Sequence, residues 1–279
     1  VMPPARWNRI RDSFGWVSIP YTPIFGWGQR EGAGMILRDH FEHSGNWLFR
    51  WRSYLPLSLL GVALLVIWYA PRPEASPTLS HRWQLVCLGV MALGLGIRAV
   101  AIGHAPAGTS GSNTREQVAR SLTTSGLYSI VRHPLYLGNL LIGLGLALFP
   151  GSWGLVLFYA GVFWLYYERI IFAEEAFLER EFGEVFLAWA RRTPAFLPRL
   201  RQYRAPELPF SLRAVLHRES TAVLVNLSAM FLLEETGAFR ATGQVGQDPL
   251  WLGLMAGLVV LWVLLRVLKK THRLDTQGR

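Results

Sequence analysis

Residues 135–172 read LYLGNLLIGLGLALFPGSWGLVLFYAGVFWLYYERIIF, two apolar runs separated by a Pro-Gly-Ser turn. The first run, residues 135–149, has about 15 residues and is shorter than the ~20 that a straight membrane helix needs. The second, residues 152–172, is full length. It carries Tyr166 and Tyr167 near its end, where aromatic side chains favour the membrane–water interface. The stretch therefore predicts a hairpin of two membrane helices.

Further apolar segments flank this hairpin on both sides. They are residues 55–70, 83–103, 221–233 and 251–268. One charged residue, Arg98, interrupts the second of them, and the third is weak and short. Hydrophobic residues make up 51% of the chain and charged residues only 16%, which excludes an ordinary soluble protein. We predict an all-α polytopic membrane protein with five to six transmembrane helices and a cytoplasmic amphipathic extension after the fourth.

The number of Lys and Arg residues is alternately high and low in successive segments between the predicted helices. Seven precede Tyr54, nine lie from Arg169 to Arg218, and none lies in the turn at residues 150–152. Because basic loops stay in the cytoplasm, we expect both termini there. The net charge of +10 then reflects topology and attraction to anionic membrane lipids rather than nucleic-acid binding. The excess of Arg over Lys is typical of a GC-rich genome, so we expect a bacterial inner membrane.

The hairpin brings two cytoplasmic segments together. Pro134 fits the first turn of a helix, where its missing N–H is no loss, and this places Arg132 and His133 at the helix entrance. The same fold brings residues 168–175 to that membrane boundary. From residue 168 to residue 189 apolar positions recur at helical spacing, so the fourth helix should continue beyond the bilayer, with a bend at Gly183.

Two motifs around this boundary resemble a known family. They are TSGLYSIVRHPLYLGN at residues 124–139 and EEAFLEREFGEVFLAWARRTPAFLP at residues 174–198. Together they are similar to the isoprenylcysteine carboxyl methyltransferases, and phospholipid N-methyltransferases share much of that core. The resemblance covers roughly residues 113–198. It implies an integral-membrane enzyme that uses S-adenosylmethionine.

The resemblance also implies an organisation and a set of site residues. Residues 1–53 would be a cytoplasmic or interfacial segment, 54–200 the methyltransferase core, and 201–279 the last membrane helices and a basic tail. His133 and Glu174 would be catalytic. The cofactor-binding residues would be Asn113, Gln117, Tyr128, Arg132, His133, Tyr136, Glu174 and Glu175.

These residue types suit the chemistry of the cofactor and its acceptor. A glutamate can bind the cofactor's ammonium and Arg132 its carboxylate, while aromatic faces attract the sulfonium. A carboxylate or phosphate acceptor needs no general base, whereas His133 or Glu174 could deprotonate an amine. Arg98 is a further catalytic candidate, because an intramembrane cation can contact an anionic substrate group. No metal-ligand spacing is present, and we expect no metal.

Some residues depart from the family pattern. Family carboxyl methyltransferases have an Arg four residues before the cofactor-binding Glu, where this chain has Ile170, and Arg169 is rotated by about 100° on a helix. The acceptor is therefore left open between a lipidic carboxylate, a phospholipid amine and a lipid phosphate. An NADPH-dependent reductase of the sterol-reductase-like group is the alternative, since those proteins carry a similar Arg-His-x-x-Tyr motif. A non-catalytic scaffold with the same fold is a third possibility.

Overall fold

Helices account for most of the chain that the structure describes. The structure is a computed structural model, and it describes residues 37–52, 54–69, 81–106, 119, 121–246 and 248–271. The helices are α1 (Leu37–Trp51), α2 (Leu55–Tyr69), α3 (His81–Gly103), α4 (Pro134–Leu148), α5 (Trp153–Phe182), α6 (Glu184–Ala190), α7 (Leu212–Thr242) and α8 (Pro249–Lys270). Two short 3-10 turns lie at Leu127–Ser129 and Leu200–Gln202.

Six of these helices are apolar, at the six positions that the sequence predicts. α3, α5, α7 and α8 are long and apolar enough to cross a membrane, while α2 and α4 are shorter apolar helices. The prediction of a polytopic all-α membrane protein is confirmed for the described residues. The weak segment at 221–233 is the middle of α7, which has 31 residues. The helix begins where Ser211 caps it and ends at Gly243, which adopts a left-handed conformation.

α4 and α5 form the predicted hairpin. Pro134 is at the first turn of α4, and Gly151 turns the chain with a φ of 71°. Ser152 then caps α5 by accepting a hydrogen bond from the Leu155 N–H. Because α4 has only 15 residues, it spans about 22 Å, less than the ~30 Å hydrocarbon core. Its first turn can therefore lie at headgroup depth.

α5 continues past the membrane, as predicted. It has 30 residues, about 45 Å of helix. Gly183 ends it with φ 53° and ψ −130°, a conformation that is essentially restricted to glycine. α6 then begins in a new direction and carries Phe186, whose side chain is buried. The bend returns the chain toward the entrance of α4.

α3 and α4 pack closely through glycines. A Cβ added at Gly94 would lie 2.6 Å from the Gly138 carbonyl oxygen, and one at Gly145 would lie 2.8 Å from the Cys87 carbonyl oxygen. Such distances leave no room for a side chain. Backbones in direct contact are typical of membrane helices that associate through small residues.

α1 lies against α5. The Tyr166 hydroxyl donates to the Leu48 carbonyl oxygen at 2.8 Å, and the rings of Phe41 and Phe172 meet edge to face at 5.8 Å. The interfacial segment predicted before α1 lies outside the described residues.

α7 and α8 attach to the two opposite ends of α3. The Ser211 N–H donates to the Gly103 carbonyl oxygen at 2.9 Å, which fixes the start of α7. At the other end of α3, the Trp251 indole donates to Gln84 Oε1 at 3.0 Å. Both side chains are buried, so this hydrogen bond forms away from water and pins α8 to α3.

Candidate active site

The entrance of α4 is held by the segment that follows α6. The backbone N–H of Arg132 donates to the Pro194 carbonyl oxygen at 2.9 Å, and that of His133 donates to the Ala195 carbonyl oxygen at 3.3 Å. Six residues before Arg132, Gly126 forms an isolated antiparallel bridge with Arg204. These bonds satisfy backbone groups that lie outside any helix. They also fix the backbone positions from which the Arg132 and His133 side chains extend.

Two neighbouring glutamates on α5 meet the side chains from this entrance. Arg132 Nη1 donates to Glu175 Oε2 at 2.7 Å, and His133 Nε2 lies 2.8 Å from Glu175 Oε1. The Tyr136 hydroxyl donates to Glu174 Oε2 at 2.8 Å, and His133 Nδ1 lies 3.6 Å from the same oxygen. The structure thus brings together the five residues that the hairpin was predicted to juxtapose. We call them the clamp.

Aromatic rings form a wall beside the clamp. The rings of His133 and Tyr136 stack at 5.5 Å with an interplanar angle of 14°. Tyr136 packs in turn on Tyr167 at 4.8 Å, and Tyr167 stacks on Phe163 at 4.2 Å. An electron-rich face next to two carboxylates is an environment that favours a cation.

Tyr128 lies near enough to Glu174 to be influenced by its charge. Its backbone carbonyl accepts a hydrogen bond from the Trp189 indole at 3.2 Å, so α6 holds it in place. Burial, and then the negative charge of Glu174, raise the pKa of the Tyr128 phenol above its usual range. The phenol therefore stays protonated at neutral pH.

A cavity of about 540 Å³ opens next to Arg132 and Glu175. Its walls are mostly apolar and come from α1, α5 and α6: Phe41, Phe172, Ala176, Glu179, Phe186, Leu187 and Ala190 line it together with the two clamp residues. The Nε atom of Arg132 is buried and has no hydrogen-bond partner among the residues that the structure describes. A buried donor without a partner is costly, so this atom fits a site that accepts a polar ligand.

Arg98 lies deeper, in α3. Its Nε donates to Glu219 Oε2 at 2.8 Å and its Nη2 to Glu219 Oε1 at 2.6 Å. Its Nη1 donates to Asn139 Oδ1 at 2.6 Å. The Asn139 amide donates to the Tyr167 hydroxyl at 3.0 Å. Arg98 is therefore linked to the aromatic wall through Asn139.

Comparisons with known proteins identify the family. The model of the phospholipid methyltransferase family matches residues 84–185. The cobalt-zinc-cadmium resistance protein CzcN of Cupriavidus metallidurans is 35% identical over 153 residues, which cover 54% of this chain and 69% of that protein. The chain belongs to the isoprenylcysteine carboxyl methyltransferase and phospholipid methyltransferase family. It is thus a member of a family of membrane methyltransferases.

Other relatives match shorter parts of the chain. The nickel-cobalt-cadmium resistance protein NccN of Alcaligenes xylosoxydans is 44% identical over 84 residues, 30% of this chain and 39% of that protein. The protein-S-isoprenylcysteine O-methyltransferase of Schizosaccharomyces pombe is 30% identical over 119 residues, 42% of this chain and 50% of that protein. No solved structure matches the chain.

The position that departs from the family's carboxyl methyltransferases is fully buried. Ile170 is 0% exposed and belongs to the apolar core. The neighbouring Arg169 points toward α1, where its Nη1 donates to Ser44 Oγ at 3.3 Å and its guanidinium lies 4.9 Å from the centre of the Phe41 ring. Arg169 therefore does not occupy the place of the family's Arg.

The structure does not describe every predicted site residue. Asn113 and Gln117 lie outside the described residues. Two glycines of α4 lie in close helix contacts: a Cβ on Gly143 would clash with the Tyr159 hydroxyl, and one on Gly145 with the Cys87 carbonyl oxygen. Contact with Tyr159 explains Gly143, and contact with Cys87 explains Gly145.

Sequence reasoning missed three residues near the clamp: Asn139, Tyr167 and Glu219. Asn139 follows Tyr136 by three positions and so shares its helix face, which was a usable signal. Tyr167 was assigned to the aromatic belt. Glu219 lies 121 residues from Arg98, and no local pattern pairs residues at that separation.

Proposed function

We propose that this chain is an S-adenosylmethionine-dependent methyltransferase that acts on a lipid or lipid-like acceptor. The observation that carries the proposal is the clamp, in which Arg132 and His133 at the entrance of α4, and Tyr136 in its first turn, meet Glu174 and Glu175 from α5 beside a cavity. The S. pombe relative is named an O-methyltransferase, and this supports the reaction class.

The clamp residues suit the groups of this cofactor. When bound, S-adenosylmethionine supplies an electrophilic methyl group. Glu174 is the more exposed of the two acids, 31% against 23% for Glu175, and it binds the ammonium. The Nε of Arg132 donates to the carboxylate. The Tyr136 and Tyr167 rings face the sulfonium. Asn113 and Gln117 are proposed to add further polar contacts.

The acceptor reaches this site from the membrane. The clamp lies at the first turn of a short apolar helix, so a lipid chain can stay in the bilayer while its head group enters the site. For a carboxylate or a phosphate, orientation by the protein is sufficient. For an amine, His133 or Glu174 removes the proton. Because position 170 holds a buried isoleucine in place of the family's arginine, the site has one cation fewer to bind a carboxylate. A prenylcysteine carboxylate is therefore the least favoured of the three candidate acceptors.

The membrane orientation is part of the proposal. Both termini face the cytoplasm of a bacterial inner membrane, with residues 1–53 on that face, a core at 54–200 and further helices at 201–279. Exposed arginines between α6 and α7 bind anionic lipid headgroups: Arg191, Arg192, Arg199, Arg201 and Arg204. Their positive charge complements such lipids.

Ligand binding to the purified protein tests the proposal. We expect S-adenosylhomocysteine to bind the detergent-solubilised chain and NADPH not to bind. Glu174→Gln should weaken that binding at least tenfold, because it removes the charge that pairs with the ammonium, and His133→Ala should also weaken it. Glu181→Gln is the control, since Glu181 is an exposed acid on the same helix.

Two outcomes would contradict the proposal. Tight NADPH binding without S-adenosylhomocysteine binding would move the chain to the reductase alternative. Unchanged affinity in both the Glu174 and His133 variants would show that the cofactor binds elsewhere. The acceptor is then identified by transfer of labelled methyl groups from S-adenosylmethionine to a total lipid extract, followed by separation of the labelled lipids.

A further inference from the structure

Arg98 and Glu219 form an ion pair inside the membrane region. The guanidinium contacts both carboxylate oxygens, at 2.8 and 2.6 Å, and the side chains of Arg98 and Glu219 are only 19% and 7% exposed. A bidentate pair of this kind fixes the guanidinium plane as well as its position. Since Glu219 is on α7, the orientation of Arg98 depends on a helix that lies beyond the family match at residues 84–185.

The backbone of α4 confines the Arg98 side chain further. A Cβ added at Gly138 would lie 2.5 Å from Arg98 Cγ, so the arginine stem lies directly on the α4 backbone. The guanidinium is therefore held at both ends, by Gly138 along its stem and by Glu219 at its head. The third guanidinium nitrogen, Nη1, donates to Asn139 Oδ1.

Arg98 in turn orients the Asn139 amide. An amide presents an acceptor on one side and donors on the other, and the cation selects the acceptor side. Asn139 Nδ2 must then face the Tyr167 hydroxyl, to which it donates at 3.0 Å. Tyr167 packs on Tyr136 at 4.8 Å, and Tyr136 donates to Glu174. The contacts are continuous from Glu219 to Glu174.

We propose that Glu219 is a positioning residue of the active site, and that α7 completes the site by supplying it. Glu219 holds Arg98, Arg98 fixes Asn139, and Asn139 sets the tyrosine wall against which the cofactor's sulfonium binds. The inference rests on the proposed function, because it assigns Glu219 a role in cofactor binding.

The test compares two buried glutamates on the same helix. Glu219→Gln keeps the shape of the side chain and removes its charge. Glu234→Gln is the matched control, since Glu234 is 7% exposed and lies about 22 Å further along α7. Affinity for S-adenosylhomocysteine and thermal melting are measured on each monodisperse variant. We expect Glu219→Gln to weaken binding at least tenfold and Glu234→Gln to leave it unchanged.

A double variant separates positioning from loss of stability. Asn139→Ala breaks the contact between Arg98 and Tyr167. In that background, Glu219→Gln should still lower the melting temperature but should change affinity less than threefold further. Independent, multiplicative effects on affinity, or unchanged affinity in Glu219→Gln alone, would overturn the inference. If the wild-type chain binds no S-adenosylhomocysteine, the proposed function fails instead.

Discussion

Glu174 and Glu175 are adjacent on α5 but differ in their contacts. Glu175 accepts from Arg132 and lies 2.8 Å from His133, so both of its oxygens hold the entrance of α4. Glu174 accepts from the Tyr136 hydroxyl through one oxygen. We therefore propose different roles for the two acids: Glu175 mainly joins the entrance of α4 to α5, and Glu174 mainly presents charge to a ligand.

Glu175→Gln tests this division. The variant removes the negative charge that faces Arg132 and His133 and turns one of the two acceptor oxygens into an NH2 group. We therefore expect a loss of about 1–3 kcal/mol in the free energy of unfolding. Thermal melting in detergent measures the loss. Glu174→Gln should lower stability less and affinity for S-adenosylhomocysteine more. The opposite ranking of the two variants in both measurements would exchange the roles of the two acids.

The sequence predicted that the two clamp segments meet, because the hairpin requires it. Once a short turn joins two apolar helices, residues at the start of the first and the end of the second must share one boundary. Within those segments, the resemblance to the methyltransferase family singled out His133, Tyr136 and Glu174. Glu219 could not be predicted in this way, because its contact with Arg98 depends on how α7 packs against α3, and side-chain periodicity contains no information about that choice.

At the scale of the secondary-structure elements, α3 and α4 are in direct backbone contact at Gly94. Gly94 touches the α4 backbone, while Gly96, two residues along the same helix, has open space where a Cβ would be. The pair offers a matched comparison within one helix.

We expect Gly94→Ala to destabilise the protein by about 1–3 kcal/mol, because its Cβ would press on the Gly138 carbonyl oxygen and force the helices apart. Gly96→Ala should be neutral or slightly stabilising, since alanine favours helix. Thermal melting of both variants measures the difference. Equal effects would mean that α3 and α4 are not in backbone contact.

The fifth predicted helix shows why element boundaries are harder to predict than elements. The hydropathy of the sequence identified residues 221–233, but α7 runs from Leu212 to Thr242. Its polar ends are stabilised by pairing rather than by lipid: Glu219 binds Arg98, and Glu235 Oε2 accepts from the Gly246 N–H at 2.6 Å. A hydropathy profile places the end of a membrane span at charged residues such as these.

At the scale of the whole molecule, the orientation in the membrane can be measured directly. Cys87 is the single cysteine of the chain and is fully buried, so the native protein gives little background labelling. Gln202 and Gln244 are both exposed and lie at opposite ends of α7. We expect a membrane-impermeant maleimide to label Gln244→Cys in intact cells.

Gln202→Cys should react only after the cells are opened, because the arginines around it keep that loop in the cytoplasm. Labelling of both variants after lysis controls for their reactivity. Labelling of Gln202→Cys, but not Gln244→Cys, in intact cells would invert the proposed orientation and move the clamp to the other side of the membrane, away from a cytoplasmic cofactor.

The backbone bonds from Arg132 and His133 to Pro194 and Ala195 bear on how this protein can be engineered. The family match ends at residue 185, yet these acceptors lie nine and ten residues further along the chain. A graft of the matched segment into another membrane scaffold would carry the clamp side chains and leave two of their N–H groups without acceptors. A transferable segment that keeps these two bonds must therefore extend at least to residue 195.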